Sequence, residues 1–141
     1  MTEIQLLNSL SRIIVFLLVF FSFFLLTVKR NKNKSNQLFA VFLLLVAVDI
    51  SAFLLTDWLS NHLFIENFRI ASSLLQLPVF YFYVLSVCYA NFKFKVNDLV
   101  HAVLFVLFYW LLTVSDSSKK IILAFQVTSE IQYFFYIVLV F

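Results

Sequence analysis

The chain contains no glycine and a single proline, and these shortages exclude a good deal. Without glycine there is no GxGxxG dinucleotide fingerprint, no phosphate-cradling Walker loop, no GxSxG nucleophile elbow and no GxxxG packing face. CxxC and HExxH are missing too, so no enzyme built on any of these devices fits, and neither a catalytic role nor a cofactor is expected. A transporter would be expected to show paired half-repeats or helices broken by Gly and Pro at the midplane, and one proline gives poor material for that. The lone Cys88 cannot form an intrachain disulfide and reads as a buried, inert thiol within an apolar run.

Charge is also scarce: 12% of the 141 residues are Asp, Glu, Lys or Arg, against roughly 25% in ordinary soluble domains. Hydrophobic residues make up 64%, and the mean hydropathy is +1.03. A soluble domain of ~150 residues buries only about 70% of its surface, too little to hide this much apolar side chain. Lipid must take up the remainder. The expected fold is therefore all-α, a polytopic transmembrane helix bundle forming one domain over residues 1–141. The formal charge of +3 is too small and scattered for a nucleic-acid surface.

Five hydrophobic segments stand out, near residues 6–28, 37–59, 69–90, 99–114 and 121/129–141. At 1.5 Å per residue, about 20 residues cross the ~30 Å hydrocarbon layer. The first segment opens with Glu3 and lacks a small-x-small cleavage site, so it reads as a retained helix and not as a signal peptide. In the third, Pro78 removes one backbone donor, which a bundle tolerates when neighbours satisfy the freed carbonyl. The fifth is diluted by Gln126, Glu130 and Gln132. A start near Ser129, with Glu130 in the first turn at the positive end of the helix dipole, keeps that carboxylate out of the hydrocarbon. Such a helix is incomplete at Phe141, so the natural sequence is expected to continue.

Orientation follows from the basic residues. Lys29, Arg30, Lys32 and Lys34 crowd the first connector, the second holds no Lys or Arg, and Lys93 and Lys95 lie in the third. The positive-inside rule puts the first and third connectors in the cytoplasm and the amino terminus outside. Lys119 and Lys120 pull mildly the other way. A multi-pass protein of the inner (cytoplasmic) cell membrane is expected.

Among polar residues, Asp49 is the most informative. It lies ~18 Å in from the cytoplasmic face, where a carboxylate costs about 2.5–3.5 kcal/mol and should face a partner inside the bundle. Arg12, ~25 Å from the same face, is the expected partner, and an arginine side chain can bridge that difference in depth. The alternative is that Arg12 snorkels outward while Asp49 is protonated or bonded to a hydroxyl such as Ser51. Asp98 and His101, three residues apart at the start of the fourth segment, read either as a hydrogen-bonded, pH-sensitive pair or as a capping aspartate beside an interfacial histidine. His62 stands alone in a connector, without the further ligands a metal site needs. Arg69 and Glu130 read as helix-end residues, and the phenylalanines as lipid-facing or packing bulk.

Three stretches carry a resemblance: Lys29-Arg30-Asn31-Lys32-Asn33-Lys34-Ser35-Asn36-Gln37-Leu38 leading into a Leu/Phe helix; Leu77-Pro78-Val79-Phe80-Tyr81-Phe82-Tyr83-Val84-Leu85-Ser86; and Phe92-Lys93-Phe94-Lys95 followed by Asp98-Leu99-Val100-His101. Over residues 25–141 the chain resembles the amino-terminal membrane region of bacterial membrane-bound AraC-type transcriptional regulators. The resemblance implies a membrane sensor, with a cytoplasmic helix-turn-helix output domain beyond residue 141 and no direct nucleic-acid contact from these residues. The membrane region of a sensor histidine kinase and a small self-associating membrane protein or transporter component are the alternatives. Expected partners are the lipid bilayer, an unidentified ligand and, as one option, further copies of the chain in a homo-oligomer.

Overall fold

The computed structural model describes residues 3–27, 34–89, 92, 93, 95–114 and 119–140. Every regular element among them is a helix, as expected of backbone that must satisfy its own polar groups in lipid. They are α1 (Glu3–Thr27), α2 (Lys34–Ile50), α3 (Ala52–Ser60), α4 (Leu63–Cys88), a 3₁₀ segment (Val96–Ala102) leading into α5 (Val103–Val114), and α6 (Lys119–Val140). Four stretches are long and apolar enough to cross a membrane: Gln5–Thr27, Lys34–Leu55, Leu63–Cys88 and Lys120–Leu139. The protein is a membrane-embedded, all-α bundle.

The helices form a row with α4 as its hub. Among the described elements α1 touches only α2 and α3, α2 packs on α4, and α4 carries α5 and α6 on its far side. Helices α1 and α6 do not meet. The seams are built from small side chains: Ser22, Ala40 and Ala71 are completely buried, and Ala47 and Ser72 nearly so. Small residues let helix backbones approach closely in a membrane, where dispersion and hydrogen bonding replace the hydrophobic effect between helices. With no glycine available, alanine and serine fill that role. Ser22 also donates its hydroxyl to the carbonyl of Ala40 at 2.9 Å, tying α1 to α2. Aromatic pairs fill the wider gaps: Phe39–Tyr83 and Phe42–Phe80 between α2 and α4, Phe68–Phe105 between α4 and α5, and Phe108–Phe125 between α5 and α6. Phe82 is buried in the core, whereas others such as Phe16, Phe23 and Phe134 face outward.

Several segment boundaries differ from the sequence reading. The second segment is split at Ser51, whose hydroxyl donates back to the carbonyl of Val48 at 2.6 Å, a local bond that competes with helical geometry and bends helices. Leu55, with φ −117° and ψ 20°, departs from helical geometry one turn later. The third segment begins at Leu63 and not near residue 69, because Glu66, Asn67 and Arg69 find partners and so tolerate helical positions inside the bundle. The fourth opens as a 3₁₀ turn, held by the Asp98 carboxylate accepting the Lys95 backbone N–H at 2.7 Å. The fifth starts at Lys119, ten residues ahead of the favoured start near Ser129, so Glu130 sits midway along α6 and not in its first turn. Burial of Gln132 against α4 compensates the longer start. Cys88, expected buried, is exposed because it ends α4, flanked by the exposed Val87 and Tyr89.

Candidate functional site: polar junctions around α4

The polar residues of the bundle converge on α4 at three levels. At the end of the bundle opposite Lys34 and Lys95, the guanidinium of Arg69 holds two carboxylates. Its Nε and Nη2 donate to Glu66 Oε2 at 2.9 Å and Oε1 at 2.7 Å, a bidentate clasp one turn apart on α4. Its Nη1 reaches across to Asp49 Oδ1 on α2 at 3.1 Å. The Arg69 side chain is the most enclosed of the three, at 17% exposure against 26% for Glu66 and 43% for Asp49. One cation facing two anions leaves the cluster with a net negative charge. Glu66 lies in the first turn of α4, where the helix dipole adds to its stabilisation.

The expected partnership of Asp49 with Arg12 is thereby corrected. Asp49 belongs to Arg69, and Arg12 lies exposed on α1. The reason is geometric: α4 starts two turns earlier than its apolar run suggests, which brings Arg69 level with the last turn of α2. The Glu-x-x-Arg spacing of residues 66–69 was the available signal, since residues three apart share a helix face.

Close by, Asn67 donates its side-chain N–H to the carbonyl of Leu112 at 3.1 Å, and both groups are buried. Leu112 lies in the last turn of α5, where carbonyls have no in-helix donor. A side-chain amide on α4 therefore caps the end of α5.

At mid-depth the effect of Pro78 is visible. The helix continues through it, but residue 78 has no N–H to offer the carbonyl four residues earlier, which belongs to Leu74. Gln132 of α6 donates its Nε2–H to that oxygen at 2.9 Å. The buried Gln132 thus replaces the backbone bond that the proline removes. Gln76 lies in the same turn of α4 with its Nε2 buried and unpartnered among the described residues.

Towards the opposite end, Tyr136 of α6 forms a short hydrogen bond with His101 Nδ1, and the rings of Tyr81 and Phe82 on α4 pack around them. His101 thus meets Tyr136, while Asp98 caps the 3₁₀ turn. Gln132, Tyr136 and Asn67 were not singled out from the sequence. Of these only Gln132 had a traceable signal, because a proline within a span calls for a donor on a neighbour.

The other predicted residues are scattered. Lys34, Lys93 and Lys95 lie near one end of the bundle and are not drawn into these junctions, and Lys29, Arg30 and Lys32 fall outside the described residues. His62 makes no side-chain cap at the start of α4; its Nδ1 meets the carbonyl of Trp58, in the last turn of α3, at 2.9 Å and its ring stacks on that indole. Among the described residues no group of three His, Cys, Asp or Glu side chains gathers as a metal site would require. The arrangement pins α4 to α2, α5 and α6 by different polar contacts at different depths. No protein-family model, curated protein or solved structure matches this chain.

Proposed function

We propose that this chain is the membrane-embedded signal-input region of a bacterial transcriptional regulator, feeding a cytoplasmic DNA-binding domain encoded beyond residue 141. The observation that carries the reading is the Asp49–Arg69–Glu66 cluster, an ion-paired junction between α2 and α4 in a protein whose other contacts are mostly apolar. Intramembrane charges are expensive, and they mark the places where membrane proteins sense, bind or switch. With the basic first connector in the cytoplasm, the amino terminus is outside and the cluster lies towards the outer face, where an external ligand arrives. Helix α6, held to α4 through Gln132 and to the 3₁₀ segment before α5 through Tyr136, then runs inward as the output element. The resemblance of residues 25–141 to membrane-bound AraC-type regulators supports the same assignment.

Orientation is tested by thiol labelling in intact cells after Cys88→Ser. A cysteine introduced by Asn33→Cys is shielded from impermeant reagents and one introduced by Asn61→Cys is labelled; the reverse pattern inverts the topology. The regulatory role is tested by transcript profiling of a strain lacking the gene. A defined set of genes changes, wild type restores it and Arg69→Gln does not. An unchanged transcript profile removes the proposal.

A further inference from the structure

Two charges well inside the spans take no part in the junctions around α4. Arg12 is exposed on α1, and Glu130 is exposed on α6. Among the described residues neither is ion-paired, since Arg69 is occupied by Asp49 and Glu66. Both lie well inside helices long and apolar enough to span, seven residues from the start of Gln5–Thr27 and ten from the start of Lys120–Leu139. Those offsets correspond to depths of roughly 10 and 15 Å. A lone charge facing hydrocarbon at such depth needs a partner, and no ion pair among the described residues supplies one. Lys120, the nearest cation on α6, is ~15 Å away along the helix axis.

The two charges sit on opposite edges of the row. Among the described elements helix α1 touches only α2 and α3, and α6 only α4, α5 and the 3₁₀ segment leading into α5. Gln132–Leu74 and Tyr136–Tyr81 set α6 parallel to α4, and Asp49–Arg69 and Phe39–Tyr83 set α2 antiparallel to α4. Ser22 late in α1 meets Ala40 early in α2, so α1 and α6 run parallel and enter from the same face. Their charges are opposite, and the ~5 Å difference in depth is within the reach of an arginine and a glutamate side chain. The flanking surfaces are apolar on both sides. Phe16, one turn after Arg12, is 68% exposed, and Glu130 lies in a shallow groove with Ile131, Phe134, Phe135 and Val138.

We infer that copies of this chain associate edge to edge in the bilayer, with α1 of one copy seated in the α6 groove of the next and Arg12 paired with Glu130 across the seam. The contact is heterologous: each copy offers a different edge to each neighbour, so the assembly is a ring or a row and not an isologous dimer. This association does not rest on the regulatory reading above.

The test uses the full chain carrying Cys88→Ser in phosphatidylcholine vesicles, with donor- and acceptor-labelled pools mixed and energy transfer read against protein-to-lipid ratio. Wild type associates. Arg12→Glu and Glu130→Arg each place like charges at the seam and weaken association at least tenfold, while the double reversal restores it, which also shows that the single variants lost a contact and not their fold. In parallel, chains carrying Phe16→Cys are mixed with chains carrying Phe134→Cys and oxidised, and disulfide-linked pairs form between the two kinds. A monomeric wild type, single reversals that associate normally, or cross-links only between like positions would each overturn the inference.

Discussion

Helices α4 and α6 carry similar numbers of polar residues within their spans and use them in opposite ways. In α4, Glu66, Asn67 and Arg69 turn inward and meet carboxylate, carbonyl and guanidinium partners on the same helix and on two neighbours. In α6, Gln132 and Tyr136 turn inward, while Gln126 and Glu130 remain on the outer surface. The difference comes from position in the row. A helix flanked on several sides can satisfy polar groups all around, whereas an edge helix has one satisfied stripe and one face left to lipid or to another protein. Polar content alone therefore does not tell a junction from an edge; neighbours do.

That contrast can be broken most severely at its centre. Arg69→Met leaves two carboxylates facing each other without their cation. We expect a loss of about 2–3 kcal/mol, below the range for fully buried pairs because Asp49 keeps 43% of its side chain exposed. Reversible unfolding in lipid bicelles measures it, and adding Asp49→Asn should recover part of the loss as non-additivity.

The mid-level junction sharpens the comparison, because it lets a backbone effect be undone. Gln132→Leu strips the Leu74 carbonyl of its donor and should cost about 1–2 kcal/mol. In a Pro78→Ala background the alanine N–H can occupy that carbonyl, so the same substitution should cost markedly less. Equal costs in the two backgrounds would mean that Gln132 is not serving the carbonyl freed by the proline.

At the edge formed by α1, Ser22→Ala removes one hydrogen bond while keeping the close approach, for a loss of about 0.5–1 kcal/mol in the same assay. The smallest effect belongs to the outward charges. Arg12→Gln and Glu130→Gln should each change the unfolding free energy of the monomeric chain by no more than ~0.5 kcal/mol, as substitutions remote from packed features generally do. A large effect at either position in dilute detergent would show that these groups already have partners within one chain.

The membrane spans were largely legible from hydrophobic run length, but runs could not say where polar residues extend a helix. The apolar stretch of the third segment led to a start near residue 69, and the structure adds six residues because Glu66, Asn67 and Arg69 are paired. The same blindness made Arg69 a helix-end residue and gave Asp49 to Arg12, since depth along a helix was readable and the order of helices across the bundle was not. Pro78 shows the opposite case. Its sequence position alone implied that the Leu74 carbonyl would need a foreign donor, but which helix would supply it depended on α6 lying against α4.

What the sequence determined by itself was one-dimensional: segments apolar and long enough to cross lipid, breaks between them, and a carbonyl orphaned by a proline. Each follows from hydration energetics or covalent geometry within a few residues. Tertiary structure decided the two-dimensional matters: that α4 is the hub, that Asp49 faces Arg69, that Gln132 reaches Leu74, and that Arg12 and Glu130 end on opposite rims. Those depend on which helices neighbour one another, and that choice is made by summed packing of small residues such as Ser22, Ala40 and Ala71 over distances that no local pattern encodes.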